Sequence, residues 1–599
     1  MTMLDRFLLD DLRDGYRSGR FRPIDVVEAA WERAERARTL NLWITRLTHA
    51  QLRQYLDRLE VRRLEELPLF GIPFVMKDNI DLAGIATTAA CPAFAYTPEH
   101  SATVVDRLIR AGAIPLGKTN LDQFATGLVG SRSPYGVCRN SFDSNYISGG
   151  SSSGSAIAVA AGIASFALGT DTAGSGRVPA AFNNIVGLKP SLGRLSARGV
   201  VPACRSLDCV SIFALTAEDA RLVLGVAEAF DPADPYSRPL ENVPLRAARL
   251  GIPRPEQLEF FGDDNCRQLF ERAVARARAH GLCVESIDFA PFLEAARLLY
   301  GGPWAAERYA AAETLLESTP QALHPVTRRI IEPAGSISAV EAFKAHYRLM
   351  ELRRQSERAW ARADVLMTPT AATIFEVAAV EADPIELNSR LGYYSNFVNL
   401  LDLAAVAVPA GFRKDGLPFG ITLVGPRSTD RSLLELASGL HRAAVDTLGA
   451  TRWTFPPAPL AAGDDSRGDD SEEILALAVC GAHMQGLPLN YQLRAGGGRL
   501  LRKVRTAPCY RLFALPGGQR PGLVRVREGG APIELEVWTI GAAHLGSLMR
   551  GIPAPLGIGT VELEDGEKVH GFLCEAYAAE GAQDITRFHS WRAWLLTIP

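Results

Sequence analysis

The chain has 599 residues, 47% of them hydrophobic and 22% charged. That composition belongs to soluble globular proteins, and the length to more than one domain. A formal charge of −3 gives no electrostatic reason to expect a nucleic acid or an anionic membrane as partner.

In chain order, the opening "MTMLDRFLLDDLRDGYRSGRF" sets acids where a signal peptide needs an apolar run, which predicts a cytoplasmic protein. The first sixty residues carry helical periodicity, with Pro23 near the start of the helix in "PIDVVEAAWERAERA". From "PLFGIPFVMKDNID" onward, short apolar runs alternate with helix-like segments such as "ATVVDRLIRAG". This alternation predicts a mixed α/β core.

"GAIPLGKTN" (112–120) fits the phosphate-loop spacing through Gly112, Gly117, Lys118 and Thr119. A phosphate loop needs a strand before it and a helix after it. Here a helix precedes, ending at Gly112, and the middle residues Ala113-Ile114-Pro115-Leu116 read as a buried strand. The match is a coincidence of spacing.

A stronger signal follows in "SGGSSSGSAIAVAAGIASFALGTDTAGSGRVPAAFNNIVGLKP" (148–190), where two Gly/Ser loops flank an apolar run that reads as a buried helix. Such loops bring backbone N–H groups close to a ligand because glycine removes the side-chain obstruction. No histidine lies between His100 and His280, so a serine here has no local imidazole as base. Lys77, at the end of the apolar strand in "FGIPFVMKDNID", is the candidate, since desolvation lowers a lysine pKa and frees its lone pair. Asp171 reads as a buried acceptor of loop N–H groups rather than a catalytic acid, Arg177 as an internal ion-pair partner rather than a substrate clamp, and Ser152, Ser153 and Ser155 as helix-capping or loop-bonding residues.

Helical patterns dominate residues 265–362, and strand candidates return in "ADVLMTPT", "AAVAVPAGF" and "FGITLVG". "PPAPLAAGDDSRGDDSEE" (456–473) has hardly any large apolar residue and reads as a linker. Beyond it, "EILALAVCGAH", "YRLFALPGG", "GLVRVREGG", "IELEVWTIG" and "IGTVELEDG" read as strands of a smaller β-rich domain. The nine cysteines include no C-x-x-C pair, and no His or Cys cluster completes a metal site near Cys204 and Cys209, so free buried thiols are expected.

The run at 148–190 closely resembles the amidase signature family, and "PLFGIPFVMKDNI", "AGAIPLGKTNLDQFA", "GLKPSLGRLS", "SLDCVSIFA" and "LPFGITLVGP" stand in family order. The resemblance covers about residues 20 to 455. It implies a mixed central sheet flanked by helices and a Ser-cisSer-Lys triad of Ser175 (nucleophile), Ser151 and Lys77 (base). Backbone N–H groups of Thr172, Ala173, Gly174 and Ser175 would form the oxyanion hole, with Ala173 standing where the family usually has glycine.

"LLYGGPWAAERY" (298–309), "TGLVGSRSPYG", "NFVNLLDLAAVAVPAGF", "GAHMQGLPLN" and "PAPLGIGTVELEDG" resemble the allophanate hydrolases within that family. This implies substrate binding by Tyr300, Arg308 and Gly127, with Tyr300 and Arg308 gripping the carboxylate of allophanate. It implies no cofactor and no metal, a homodimer, and supply from urea carboxylation or cyanuric-acid breakdown. The domains would be 1–457 (amidase, its helical N-terminal segment about 1–60), a linker at 458–473, and a C-terminal domain at 474–599 whose fold resembles γ-glutamylcyclotransferases. There His483 is the candidate for decarboxylating N-carboxycarbamate, with Arg494, Arg502 and Arg505 as possible anion holders or a solvated face. The competing readings are a glutamine-hydrolysing amidotransferase subunit, which would end near residue 460, and another small-amide amidase with a structural C-terminal domain.

Overall fold

The computed structural model describes residues 6–456 and 474–598, apart from positions 61, 63, 240, 241, 246–248, 496, 497, 517–519, 542, 543, 546, 547 and 550. The expected linker at 458–473 lies outside the described residues. The chain divides into two compact units, Met1–Pro457 and Ala458–Pro599.

The first unit is built on an eleven-stranded mixed sheet. Its strands are β1 (Trp43–Arg46), β2 (Pro73–Lys77), β3 (Ile114–Thr119), β4 (Phe166–Asp171), β5 (Val186–Lys189), β6 (Cys209–Ala214), β7 (Arg249–Pro253), β8 (Cys283–Ile287), β9 (Val365–Pro369), β10 (Ala404–Phe412) and β11 (Pro418–Gly425), in the order 1-3-2-4-6-5-10-11-9-7-8. The neighbours β3, β2 and β4 run parallel, β4 and β6 antiparallel. Every residue of β2, β3, β4 and β6 is buried, which explains why these strands read as apolar runs rather than as alternating patterns.

The apolar run after the first Gly/Ser loop is two elements. Ser153–Ala160 forms a helix with all eight residues buried, and Phe166 already begins β4. Small side chains let the surrounding backbone approach this helix on all sides. The "GAIPLGKTN" segment is helix end, turn and β3; its Lys118 Nζ lies 3.2 Å from Asp78 Oδ1 and donates to Thr87, wholly inside the core. β1 interrupts the helical N-terminal segment, and β8 interrupts the helical stretch beyond residue 265.

The second unit carries β12 (Ile474–Val479), β13 (Leu500–Arg505), β14 (Tyr510–Ala514), β15 (Pro521–Arg525), β16 (Glu534–Gly541), β17 (Leu556–Glu562), β18 (Lys568–Cys574) and β19 (Gln583–Asp584). They form a five-stranded sheet, order 13-16-12-18-17, and a three-stranded sheet, order 15-14-19. Seven of the nine cysteines are buried and all nine are free; Cys283 is exposed and Cys509 half-buried. Among the described residues no cluster of His, Cys, Asp and Glu could hold a metal, and no helix is long and apolar enough to cross a membrane.

Candidate active site

Two neighbouring strands deliver the first pair of groups. The register that sets Met76 of β2 opposite Leu168 of β4 brings Lys77 beside Thr170. Lys77 Nζ lies 2.8 Å from Thr170 Oγ1 and 2.7 Å from Ser151 Oγ. Lys77 is wholly buried, and desolvation brings its pKa down to about 7 against the opposing pull of Asp122, Asp208 and Asp171, with the positive charge of Arg308 lowering it further. A lysine held this way exchanges between ammonium and free amine near neutrality.

Ser151 follows a cis peptide bond from Gly150. Its carbonyl accepts the amide of Asp122 at 3.2 Å. The Asp122 carboxylate in turn accepts the amides of Val129, Gly130 and Arg132 at 3.0–3.1 Å, fixing the turn that carries Gly127. The contacts are close enough that a Cβ on Gly150 would lie 2.1 Å from Asp122 Oδ2, and one on Gly127 2.6 Å from the same oxygen. Ser152 and Ser155 do not cap the helix they open. Their hydroxyls bond β4 instead, to Thr170 O at 3.1 Å and Leu168 O at 2.9 Å, because this helix end is pressed against that strand; Ser153 Oγ has no partner among the described residues.

The second loop leaves β4 at Asp171 and reaches Ser175 just before the Val178–Phe182 helix. Asp171 accepts the amides of Gly174 and Gly176 at 3.0 Å each and pairs with Arg177 at 2.9 Å, both side chains fully buried. The Gly174 N–H is therefore occupied by Asp171, which corrects its expected place in an oxyanion hole. The amides of Thr172, Ala173 and Ser175 have no acceptor among the described residues. The Thr172 hydroxyl donates to Asp208, which also accepts the amides of Ala203 and Cys204. Burial pushes the Asp208 carboxyl up to about 6.

Residues 25–434 match the amidase family model, and residues 475–596 match that of the allophanate hydrolase C-terminal domain. The chain belongs to the amidase family. It is 46% identical to urea amidolyase of Saccharomyces cerevisiae over 92% of the chain but only 31% of that relative, so it spans about a third of the length of the curated urea amidolyases it matches. It is 34% identical to a glutamyl-tRNA(Gln) amidotransferase subunit of Prochlorococcus marinus, over 67% of the chain and 89% of the relative. The structure of Kluyveromyces lactis allophanate hydrolase is similar over 99% of both chains, with 40% identity and a TM-score of 0.77.

In this amidase, Tyr300 sits in the last turn of the Ala290–Gly301 helix. The next helix, Trp304–Ser318, starts after Pro303 and carries Arg308 on its second turn. Arg308 is 1% exposed, the opposite of a solvated surface arginine. Its Nη1 donates to Ala125 O at 3.3 Å and Thr126 Oγ1 at 3.2 Å, next to Gly127, and its Cζ lies 5.3 Å from the centroid of the Tyr300 ring. Nε and Nη2 have no partner among the described residues. Ala173, Trp304 and Tyr300 pack in one apolar cluster, joining the Ser175 loop to this turn.

In the C-terminal unit, His483 faces a cavity of about 420 Å³ with mostly apolar walls, shared with Gln492, His544 and Arg520. His483 Nε2 meets Gln492 Oε1 at 2.9 Å, its ring stacks on Phe572 at 5.0 Å, and burial lowers its pKa. Arg494, Arg502 and Arg505 are exposed and do not line the cavity; Arg502 instead pairs with Asp565 and Glu567 in the turn between β17 and β18. Sequence reasoning passed over Asp122, Thr170, Asp208 and Gln492. Only Asp122 left a usable signal, an acid just ahead of the glycine-rich "GLVGSRS", whose backbone N–H groups need an acceptor.

Proposed function

We propose that this amidase hydrolyses allophanate, with Ser175 as nucleophile, Ser151 as proton relay and Lys77 as base. The observation that carries the substrate assignment is the Arg308 guanidinium, buried beside Tyr300 with two nitrogens unpartnered among the described residues. A buried cation with spare donors is a poor structural element and a good receptor for a small carboxylate. Allophanate, a urea bearing a carboxylate on one nitrogen, would set that carboxylate on Arg308 and Tyr300 beside Gly127, and its terminal carbonyl toward Ser175.

Ser175 Oγ attacks the carbonyl while its proton passes through Ser151 to neutral Lys77. The amides of Thr172 and Ala173 take the developing oxyanion. Lys77 returns the proton by the same route to the leaving nitrogen, ammonia departs, and water cleaves the acyl-enzyme to N-carboxycarbamate. In the C-terminal unit His483 would pass a proton to the nitrogen of that product as carbon dioxide leaves, and the remaining carbamate falls to ammonia and carbon dioxide. The enzyme would work as a cytoplasmic homodimer fed by urea carboxylation or cyanuric-acid breakdown.

The deciding experiment measures ammonia released from allophanate, malonamide and glutamine by the wild type and by Ser175→Ala. Allophanate should be preferred and Ser175→Ala inert though folded. Preference for glutamine would favour the amidotransferase-type reading, and an active Ser175→Ala would reject the triad.

A further inference from the structure

The C-terminal unit brings a second histidine to the cavity that His483 faces. His483 lies in the loop after β12 and His544 beyond the end of β16, and both line the cavity together with Gln492 of the Asn490–Ala495 helix. Gln492 holds both rings. Its side-chain Oε1 meets His483 Nε2 at 2.9 Å, and its main-chain carbonyl oxygen meets His544 Nε2 at 2.8 Å. A carbonyl oxygen only accepts, so each Nε2 carries the hydrogen and each Nδ1 is the nitrogen left to gain or lose a proton. Among the described residues neither Nδ1 has a hydrogen-bond partner.

The walls of this cavity carry basic groups and no acid. Among the described residues, His483, His544 and Arg520 line it and no Asp or Glu does; Arg520 is exposed, and most of the remaining wall is apolar, with Leu489, Leu548, Ile552 and Phe572. A doubly charged anion enters such a space at a heavy cost unless cations meet it there. Its arrival favours the imidazolium form of both rings, and the hydrogen each then gains sits on Nδ1. N-carboxycarbamate has two carboxylates with different fates: one leaves as carbon dioxide and the other stays on the nitrogen. An apolar wall suits the first, because a charged carboxylate is costly there and neutral carbon dioxide is not. The second needs a cation that keeps its proton, and His483 cannot be that cation if it gives its proton to the nitrogen.

We propose that His544 anchors the carboxylate that stays, its Nδ1–H donating to that carboxylate while His483 protonates the nitrogen; this rests on the reading of the cavity as the site of N-carboxycarbamate. The bond between the nitrogen and the other carboxylate carbon breaks, and its electron pair goes to the nitrogen, which takes the Nδ1 proton of His483. Neutral carbon dioxide leaves along the apolar wall, carbamate remains on His544, and solvent returns a proton to His483. Gln492 is the positioning residue for both rings, since it fixes which nitrogen of each is free.

The test uses the full chain in an Arg308→Met background, which removes the carboxylate receptor of the amidase unit. The probe is malonate, in which a CH2 replaces the NH of N-carboxycarbamate, titrated by calorimetry. Malonate should bind, and His544→Leu should raise its Kd by about 10- to 100-fold, the worth of a charged hydrogen bond. His544→Gln keeps an N–H for the Gln492 carbonyl but loses the charge, so it should bind malonate as poorly as His544→Leu. Full binding in His544→Gln would make the tie to Gln492 structural and overturn the anchor. Unchanged binding in His544→Leu would overturn the anchor and leave the cavity reading standing, whereas a parent chain that does not bind malonate would overturn both. With Arg308 restored, His544→Gln should lower the ammonia released per allophanate consumed at short times, as expected of His483→Ala; an unaltered ratio would also overturn the anchor.

Discussion

The guanidinium of Arg308 lies 5.3 Å from the centre of the Tyr300 ring, fully enclosed, with a single one of its nitrogens hydrogen-bonded among the described residues. A charge-assisted contact to a carboxylate contributes about 1.5–3 kcal/mol. Arg308→Ala should therefore raise KM for allophanate by about 10- to 150-fold, with a much smaller change for the uncharged malonamide. Equal losses on both substrates in steady-state assays would make Arg308 a structural residue.

Lys77 must be neutral to take a proton. With its pKa near 7, kcat/KM for malonamide should rise with pH to a plateau, with a midpoint near 7. The positive charge of Arg308 lowers that pKa, so Arg308→Met should move the midpoint to higher pH; a pH profile that stays put would count against electrostatic coupling of the two groups. Lys77→Met should leave no measurable turnover at any pH.

His483→Ala should leave the first ammonia release from allophanate intact and delay the second. Because burial holds the imidazole pKa below its ordinary value, the His483-dependent step should slow as pH rises through the range below about 6.5. The check is ammonia per allophanate consumed at short times in wild type and variant. Identical ratios would leave the C-terminal unit with a structural role.

His441 is fully buried, neither ring nitrogen has a partner among the described residues, and its pKa is lowered to about 3. The unfolded chain binds a proton at about 6.5 and the folded one does not, so the contribution is whole above that pH and is lost progressively as pH falls toward 3. At pH 5 the loss should reach about 2 kcal/mol. His441→Leu should flatten the fall of the urea midpoint between pH 7 and pH 5; an unchanged slope would assign the acid sensitivity elsewhere.

Much of the candidate site was legible because its residues lie in two short, unusual stretches. Lys77 at the end of an apolar strand and serines among glycines both break the local pattern of a core, and broken patterns mark function. Arg308 was legible only by resemblance, because an arginine on a helix gives no local sign that its far end is enclosed. The same limit hid Thr170 and Asp208, which look like ordinary strand and loop polar residues until β2, β4 and β6 are placed side by side. The role of Gly174 was misjudged for a related reason. Nothing in "GTDTAGS" says which of four successive amides the neighbouring aspartate will occupy. The boundaries of β1 and β8 were lost inside amphipathic surroundings, where a four- or five-residue strand cannot outweigh the longer helical periodicity on either side.

The two oxygen neighbours of Lys77 are both hydroxyls, and this has a consequence for how the proton is held. A carboxylate can only accept, whereas the Ser151 and Thr170 hydroxyls can each turn their hydrogen toward or away from the nitrogen. When Lys77 is an ammonium they accept from it; when it is an amine, one of them can donate to its lone pair. The polarity of the whole chain of bonds can thus invert by rotation about two C–O bonds, with every heavy atom standing still. The reorganisation that solvent would need to reverse a proton's direction of travel is reduced here to turning two hydrogens, so in the proposed mechanism the same three side chains would serve the acylation half of the cycle and its mirror image.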